Sequence, residues 1–262
     1  ISAMCRWLNL PRSSYYYKTS EPVSEADLEE KVKQIFLESQ SRYGARKIKQ
    51  CLATDGIILS RRRIRRIMKR LNLVSVYQQA SFKPYAKGKN EAPIPNLLDR
   101  QFYQEKPLEV IVTDLTYVRV GQRWAYVCLI IDLFNREIIG VSVGWQKTAE
   151  LVKQAIQSIP YALTKVNLFH SDRGKEFDNQ LIDEVLEAFG ITRSLSQAGC
   201  PYDNAVAEST YRFFKLEFIH QETFHSLKEL TLKTKNYVHW WNHHRIHGSL
   251  NYQTPIAKRV TA

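Results

Sequence analysis

Apolar residues along this chain change their spacing twice, and the changes divide it into three stretches. Between residues 24 and 73 the spacing is helical. Leu28, Val32, Ile35 and Phe36 in SEADLEEKVKQIFLES, Ile48 and Leu52 in YGARKIKQCLATDG, and Ile64, Ile67, Met68 and Leu71 in RRRIRRIMKRL fall on single faces of three helices. Asp55-Gly56 stops the second helix, and Ser60 is placed to cap the third, so the last two form a helix, a short turn and a helix. Residues 74–107 keep no period and carry Pro84, Gly88, Pro93, Pro95 and Pro107, which reads as a linker. From residue 109 the spacing becomes that of strands: EVIVTDLTYVRV, RWAYVCLIIDLF and EIIGVSVGW, separated by brief turns, predict an antiparallel meander. A helix (TAELVKQAIQSI, with Thr148 at its cap), a strand (VNLFH), a helix ending at Gly190, a strand (ITRSLS) and a helix (NAVAESTYRFFKLEF) follow. This order predicts an α/β layered fold with a mixed sheet. The divisions are a helical module at 1–73, a linker at 74–107, a core at 108–220 and a C-terminal helical extension at 221–262.

At 262 residues with 44% apolar residues, the chain can fill one large core and a smaller one. It carries 38 Lys and Arg against 26 Asp and Glu, a formal charge of +12, and the sequence pI is about 9.5. Such a field attracts polyanions, and nucleic acid is the first partner it implies. Most of the excess lies between Arg42 and Arg70, where eleven basic residues accompany the single acid Asp55. Arginines around the solvent side of the third helix suit phosphates; an ordinary solvated face is the competing reading. No apolar run reaches 18 residues, and the opening ISAMCRWLNLPRSSYYY has too short an apolar stretch for a signal peptide, so the expectation is a cytoplasmic protein with no membrane partner. Cys5, Cys51, Cys128 and Cys200 are far apart and lack C-x-x-C spacing, which argues against a zinc ribbon or a disulfide framework. No P-loop is present, so no ATP is expected.

Three acids carry the chemistry. Asp114 interrupts an apolar strand, where an uncompensated charge costs several kcal/mol, on the order expected for buried ions. Asp172 ends the VNLFH strand, with His170 on the same side as a candidate supporting group, and Glu208 lies inside a helix one of whose faces also holds Arg212 and Lys215. Converging, the three would form an all-oxygen site suited to Mg²⁺ or Mn²⁺, and a pair of such ions serves in-line phosphoryl displacement. Arg173 and Lys175 would stand ready for phosphate oxygens, with Gly174 permitting close approach. Each acid also has a plain structural reading: Asp114 satisfied by backbone N–H groups, Asp172 starting a turn, Glu208 pairing with Arg212. Asp132 reads as a turn-capping or arginine-pairing residue, and Asp203 as a helix cap. His239, His243, His244 and His247 lack H-E-x-x-H and flank Trp240 and Trp241, which favours packing and phosphate contact over zinc.

TDLTYV, HSDRGKEF and YDNAVAES followed by FFKLE, with 35 residues between Asp172 and Glu208, resemble the DDE integrase core of insertion-sequence transposases. The closer resemblance is to the second-frame (OrfB) product of the insertion sequence three family. RYGARKIKQCL before SRRRIRRIM is similar to that family's helix-turn-helix, and WNHHRIHGSLNYQTPIA to its C-terminal signature. The resemblance covers nearly the whole chain. It implies a ribonuclease H-like catalytic core preceded by a small all-helical helix-turn-helix module, with Asp114, Asp172 and Glu208 as catalytic and metal-binding triad and Mg²⁺ as cofactor, two ions per site, Mn²⁺ substituting. The implied DNA contacts are Arg46, Lys47, Arg61, Arg62, Arg63, Arg65, Arg66, Arg173, Lys175, Arg212 and Lys215. The implied reaction is a hydrolytic nick exposing a 3′-OH at a transposon end, then attack of that 3′-OH on another phosphodiester, first beside the other end, with no covalent protein intermediate. The implied partners are double-stranded DNA, both terminal repeats and target, and further copies of the chain on the DNA ends, in a bacterial nucleoid. Compared with the fused transposase, the coiled-coil and first-frame helix-turn-helix regions are missing, so terminal-repeat recognition is expected partly outside this chain. Two other functions keep a place: a ribonuclease H-like hydrolytic nuclease, and a DNA-binding regulator whose acids are structural.

Overall fold

The Ser60 hydroxyl accepts the Arg63 N–H at 3.2 Å and starts a helix where the sequence predicts one. This computed structural model describes residues 1–16, 24–79 and 94–261, and divides them into two units, Ile1–Ser75 and Val76–Ala262. The part of the expected linker at 80–93 lies outside the described residues.

The first unit holds α1 (Ser2–Trp7), α2 (Arg12–Tyr16), α3 (Glu25–Glu38), α4 (Ala45–Thr54) and α5 (Arg61–Arg70). Leu28, Val32 and Phe36 of α3, Ile48 and Leu52 of α4, and Ile64, Ile67 and Met68 of α5 are buried. The α4–α5 turn follows from Gly56 at φ +77°, with Ile57 N–H reaching Leu52 O at 2.8 Å to close the helix end. Glu25 takes hydrogen bonds from Arg63 and Arg70, and Arg70 also pairs with Glu29 at 2.6 Å, so the acidic first turn of α3 is tied to α5.

The second unit is built on β1 (Val110–Val120), β2 (Arg123–Asp132), β3 (Ile138–Gly144), β4 (Leu168–Ser171) and β5 (Thr192–Leu195). Strand order is β3-β2-β1-β4-β5; the meander pairs are antiparallel, and β1–β4 and β4–β5 are parallel. This is the mixed sheet expected of a ribonuclease H-like core. Its helices are α6 (Ala149–Gln157), α7 (Gln180–Ala188), α8 (Ala205–Glu217), α9 (Leu227–His243) and α10 (Pro255–Val260). Alternation along β1 separates two cores: Ile111 and Leu115 join residues of α6 and α7, whereas Val110, Val112, Val118 and Val120 join residues of α8 and α9. A Cβ on Gly140 would lie 2.6 Å from Ala155 O, so α6 approaches β3 only because that position is glycine.

Residues 221–262 belong to the same compact unit as the sheet. Asn242 bonds both the N–H and the C=O of Ile138 at 2.9 Å, and Trp241 Nε1 donates to Arg136 O. Asp132 caps its turn through Phe134 N–H and pairs with Arg259, filling both roles read for it. Two caps differ from expectation. Thr148 stands at the N-cap of α6, but its hydroxyl accepts no capping bond. Asp203 does not cap α8; its carboxylate takes Gln197 N–H at 2.9 Å and Arg100 Nε at 2.8 Å, which leaves Asn204 as the N-cap residue.

Candidate active site

Asp114 occupies the position on β1 where Val112 and Val118 of the same row face α8. Parallel pairing of Val112 with His170 brings the end of β4, and so Asp172, level with it. Helix α8 is fixed against this point by two bonds to β1 carbonyls. Asn204 Nδ2 donates to Thr113 O at 3.0 Å, and the Tyr211 hydroxyl donates to Asp114 O while accepting Leu129 N–H at 2.6 Å. The phenol is inserted between Asp114 and Leu129, cross-strand partners in the β1–β2 ladder. Glu208 lies one turn before Tyr211, at the start of the same helix, and is exposed.

The electrostatics follow from this convergence. Burial pushes the Asp114 carboxyl up to about 7; the charges of Asp172 and Glu208 add to the rise, and Leu115 N–H and Lys147 oppose it. Burial also raises Asp172, where Gly174 N–H opposes, Glu176 adds and Lys147 opposes. Glu208, exposed as a residue, is raised first by partial desolvation of its carboxyl and then by the charge of Asp172. Three acids distant in sequence therefore act on one another, each harder to ionise for its surroundings. Leu115 N–H on Asp114 Oδ1 at 2.7 Å and Gly174 N–H on Asp172 Oδ1 at 3.0 Å supply part of the backbone satisfaction that a purely structural role requires. No arginine pairs with any of the three among the described residues, and the Glu208–Arg212 pair of the competing structural reading does not form. Among these residues no three His, Cys, Asp or Glu side chains stand close enough to hold a metal ion as placed. In donor chemistry the acids suit a hard divalent cation: oxygen only, like-charged and unmatched by arginine.

Two neighbours that the sequence did not single out complete the electrostatics. Lys147, between β3 and α6, pairs with the buried Glu176 at 2.7 Å, and its ammonium is also held by the fields of Asp172 and Asp114. Gly174 makes room for this: a Cβ there would fall 2.3 Å from Glu176 Oε1. The glycine thus admits a carboxylate of its own chain, where the sequence suggested access for phosphate.

Several expected contacts point elsewhere. His170 is buried and bonds Ser194 Oγ at 2.9 Å and Ser196 Oγ at 3.1 Å on the β5 side, with no bond to the acids; burial lowers it to about 4, so it is neutral. Arg173 donates to the carbonyls of Ser196 and Ile94, because the loop around it leaves those carbonyls needing donors. Lys47 lies 4.6 Å over the Tyr43 ring with its ammonium buried, and Arg63 pairs with Glu25. Arg46, Arg61, Arg62, Arg65 and Arg66 are exposed in the first unit, as are Lys175 and Arg212 in the second. Lys215 is half-buried, 4.9 Å over the Tyr117 ring, and feels Asp114. Of the histidines, His247 packs edge-on to Trp241, while His239, His243 and His244 form an exposed cluster, His239 and His243 stacking at 4.4 Å.

A family model described as an integrase core domain matches residues 104–201, a second of that description matches 189–255, and one described as an HTH-like domain matches 23–81. The chain is 30% identical over 267 residues to the putative transposase InsK for insertion sequence element IS150 of Escherichia coli (strain K12), covering 99% of this chain and 93% of the relative. It is 29% identical over 240 residues to the transposase for insertion sequence element IS904 of Lactococcus lactis, covering 90% and 95%. It is 29% identical over 266 residues to transposase InsF for insertion sequence IS3A of Escherichia coli (strain K12), covering 96% and 92%. Among solved structures, the HTLV-2 integrase catalytic core domain in complex with magnesium is 16% identical, covers 58% of this chain and 97% of its own, and gives a TM-score of 0.47. No helix among the described residues is long and apolar enough to cross a membrane.

Proposed function

Since the chain belongs to the insertion sequence three family of transposases, polynucleotidyl transferases whose function is DNA transposition, we propose that it cuts and joins element ends at Asp114, Asp172 and Glu208. The observation that carries this reading is the mutual field of the three acids, brought from a strand interior, a strand end and a helix start. Among the described residues each carboxylate is without an arginine, and a divalent cation is the compensation that fits. Mg²⁺, or Mn²⁺ in its place, two ions to a site, would polarise the scissile phosphate and stabilise the leaving oxygen.

The chain's own residues do the rest. Asp114 and Asp172 are held by backbone N–H groups in fixed orientations, and Glu208 closes the site from a helix that Tyr211 and Asn204 fasten to β1. Water's oxygen first bonds to phosphorus at the element end as the bond to the 3′ oxygen breaks, leaving a 3′-OH and a 5′-phosphate. That hydroxyl then attacks a second phosphodiester, forming one P–O bond and breaking another, so the step needs no ATP. Arg46, Arg61, Arg62, Arg65 and Arg66 of the helical module, and Lys175, Arg212 and Lys215 near the acids, contact the phosphates. Multiple copies of the chain act together on paired ends, in the cytoplasm at the nucleoid.

Asp114→Asn, Asp172→Asn and Glu208→Gln are each expected to keep DNA binding and to lose strand transfer by about 1000-fold or more, several kcal/mol of barrier. The measurement is Mg²⁺-dependent joining of the element's own ends, pre-nicked so that only transfer is read. Transfer retained by one variant removes that residue from the site. Water-only cleavage of such ends would leave a hydrolytic nuclease, and full function in EDTA would leave a regulator.

A further inference from the structure

The turn end of the β1–β2 hairpin holds two aromatic rings in solvent. Tyr117 is 57% exposed and Trp124 is 48% exposed, and they meet edge to face with centroids 5.1 Å apart. Pairing of Arg119 with Trp124 puts both on one face, and Tyr117, two residues before Arg119, shares it. Cations stand over both rings: Arg119 is 5.2 Å from the Trp124 centroid and Lys215 is 4.9 Å from that of Tyr117. Tyr117 lies three residues past Asp114 on β1, roughly 10 Å along it and on the opposite face by alternation, and Lys215 of α8 reaches its ring past the side of β1 that β4 leaves unpaired beyond Val112.

Rings this large are usually covered, and a fold that leaves two of them wet, with a lysine over one of them that also feels Asp114, has placed a surface for something flat. The neighbouring charges decide what that is. Arg119 and Lys215 offer donors to a polyanion at the rim of the rings, and an apolar protein segment would gain nothing from them. Bases inside a duplex already stack on their neighbours and show only their edges, so a ring can stack on a base only where the strand is unpaired.

We propose that Tyr117 and Trp124 form a stacking platform for an unpaired base of the DNA strand entering the acid site, with Lys215 and Arg119 on the flanking phosphates. This deepens the transposase reading and rests on it. The substrate class becomes a DNA end opened by a few bases, not continuous duplex. The platform holds the strand, and the acids act on the phosphodiester one or two nucleotides away.

The test compares two fluorescent duplexes of the same sequence, one blunt and one with three unpaired nucleotides at its end, bound by the full chain in EDTA so that no strand is cut. The chain is expected to favour the open end about tenfold, the low end of stacking energies. Tyr117→Ala with Trp124→Ala should bring the ratio near one with blunt-duplex affinity unchanged, whereas Tyr117→Phe with Trp124→Phe should keep it. A 2-aminopurine at the first unpaired position should lose fluorescence on binding the chain but not the double alanine variant. Equal affinity of the unaltered chain for both duplexes overturns the proposal, as does a preference surviving the double alanine variant. An equal loss on both duplexes overturns it too, because the rings would then serve general binding or folding. If pre-nicked ends are joined while the ratio is one, the platform fails and the transposase reading stands. If neither duplex binds and no joining occurs, the reading itself fails.

Discussion

Asp132, Glu137 and Glu217 are fully or nearly buried carboxylates, and each meets an arginine. Arg259 pairs with Asp132 at 2.7 Å and with Glu137 at 2.6 Å, and Arg245 takes Glu217 through two nitrogens while lying over the rings of Phe213 and Trp241. Across the same sheet unit, Asp114 and Asp172 each take one backbone N–H, Glu208 feels the charge of Asp172, and the nearby Lys147 is paired with Glu176. The first set neutralises its charge within the chain and holds the C-terminal helices to the β2–β3 turn and to the end of α8. The second set lies on the central strand β1, just past the end of β4 and at the start of α8, with no arginine on it among the described residues. Asp132, Glu137 and Glu217 are buried, whereas Asp114 and Asp172 are half-buried and Glu208 is exposed; the sharper difference is that the chain gives each acid of the first set an arginine and, among the described residues, gives none to the second.

Breaking the paired set should cost the most stability. Arg245→Ala takes the guanidinium from the buried Glu217 carboxylate and leaves it the Tyr237 hydroxyl, and the expected loss is about 3 kcal/mol, the low end of the cost of breaking a buried pair. Asp172→Asn and Glu208→Gln relieve like-charge repulsion and should change stability by less than about 1 kcal/mol or raise it. Chemical denaturation of the three variants decides this. Comparable losses from Arg245→Ala and Asp172→Asn would erase the distinction between the two sets.

A pH difference sharpens the comparison within the acid site. Asp114 is raised from 3.8 to about 7, so the folded chain keeps a proton there that the unfolded chain releases. Its contribution is full below about pH 4 and is lost as pH rises through 7. His170 slopes the other way: lowered from 6.5 to about 4, it contributes fully above 6.5 and less as pH falls toward 4. Asp114→Asn should therefore stabilise the metal-free chain more at pH 8 than at pH 5, by about 2 kcal/mol once solvent reaching a half-buried carboxyl is allowed for. Thermal melts of both proteins in EDTA at the two pH values measure it. A gain equal at both pH values would mean that Asp114 is ionised throughout and already compensated.

The sequence exposed the acids because a charge interrupting Val110, Val112, Val118 and Val120 violates the strand's own pattern, and because Asp172 closes a strand. It exposed the helices and the meander for the same reason: their periods are local. Tyr211 was hidden, since on α8 it sits in the row of Ala207, Phe214 and Phe218 and looks like packing. Only the fold shows that its hydroxyl enters the β1–β2 ladder. The Asp203 cap failed because cap logic counts nearby N–H groups, whereas Arg100, 103 residues away, and Gln197 N–H take the carboxylate. Likewise, Ile94–Leu98 reads as linker, yet the Leu97 and Leu98 N–H groups bond Ser194 Oγ and Leu98 is buried.

The pairing of Lys147 with Glu176, 29 positions apart, was equally invisible, and it offers the finest test of the comparison. Here the chain does supply a cation near the acids, but a buried carboxylate of its own draws it off. If that balance is what keeps the site open to a metal, the two members must act with opposite sign. Lys147→Gln removes a positive neighbour and should lower the Mg²⁺ concentration for half-maximal thermal stabilisation about threefold; Glu176→Gln frees the ammonium for Asp172 and Asp114 and should raise it by a similar factor. The double variant should return to within about twofold of the unaltered chain, since the two changes cancel in net charge. A purely structural pair would instead lower melting temperature in both single variants and leave the Mg²⁺ midpoint in place, and in that case Asp114 and Asp172 would owe their openness to the backbone alone.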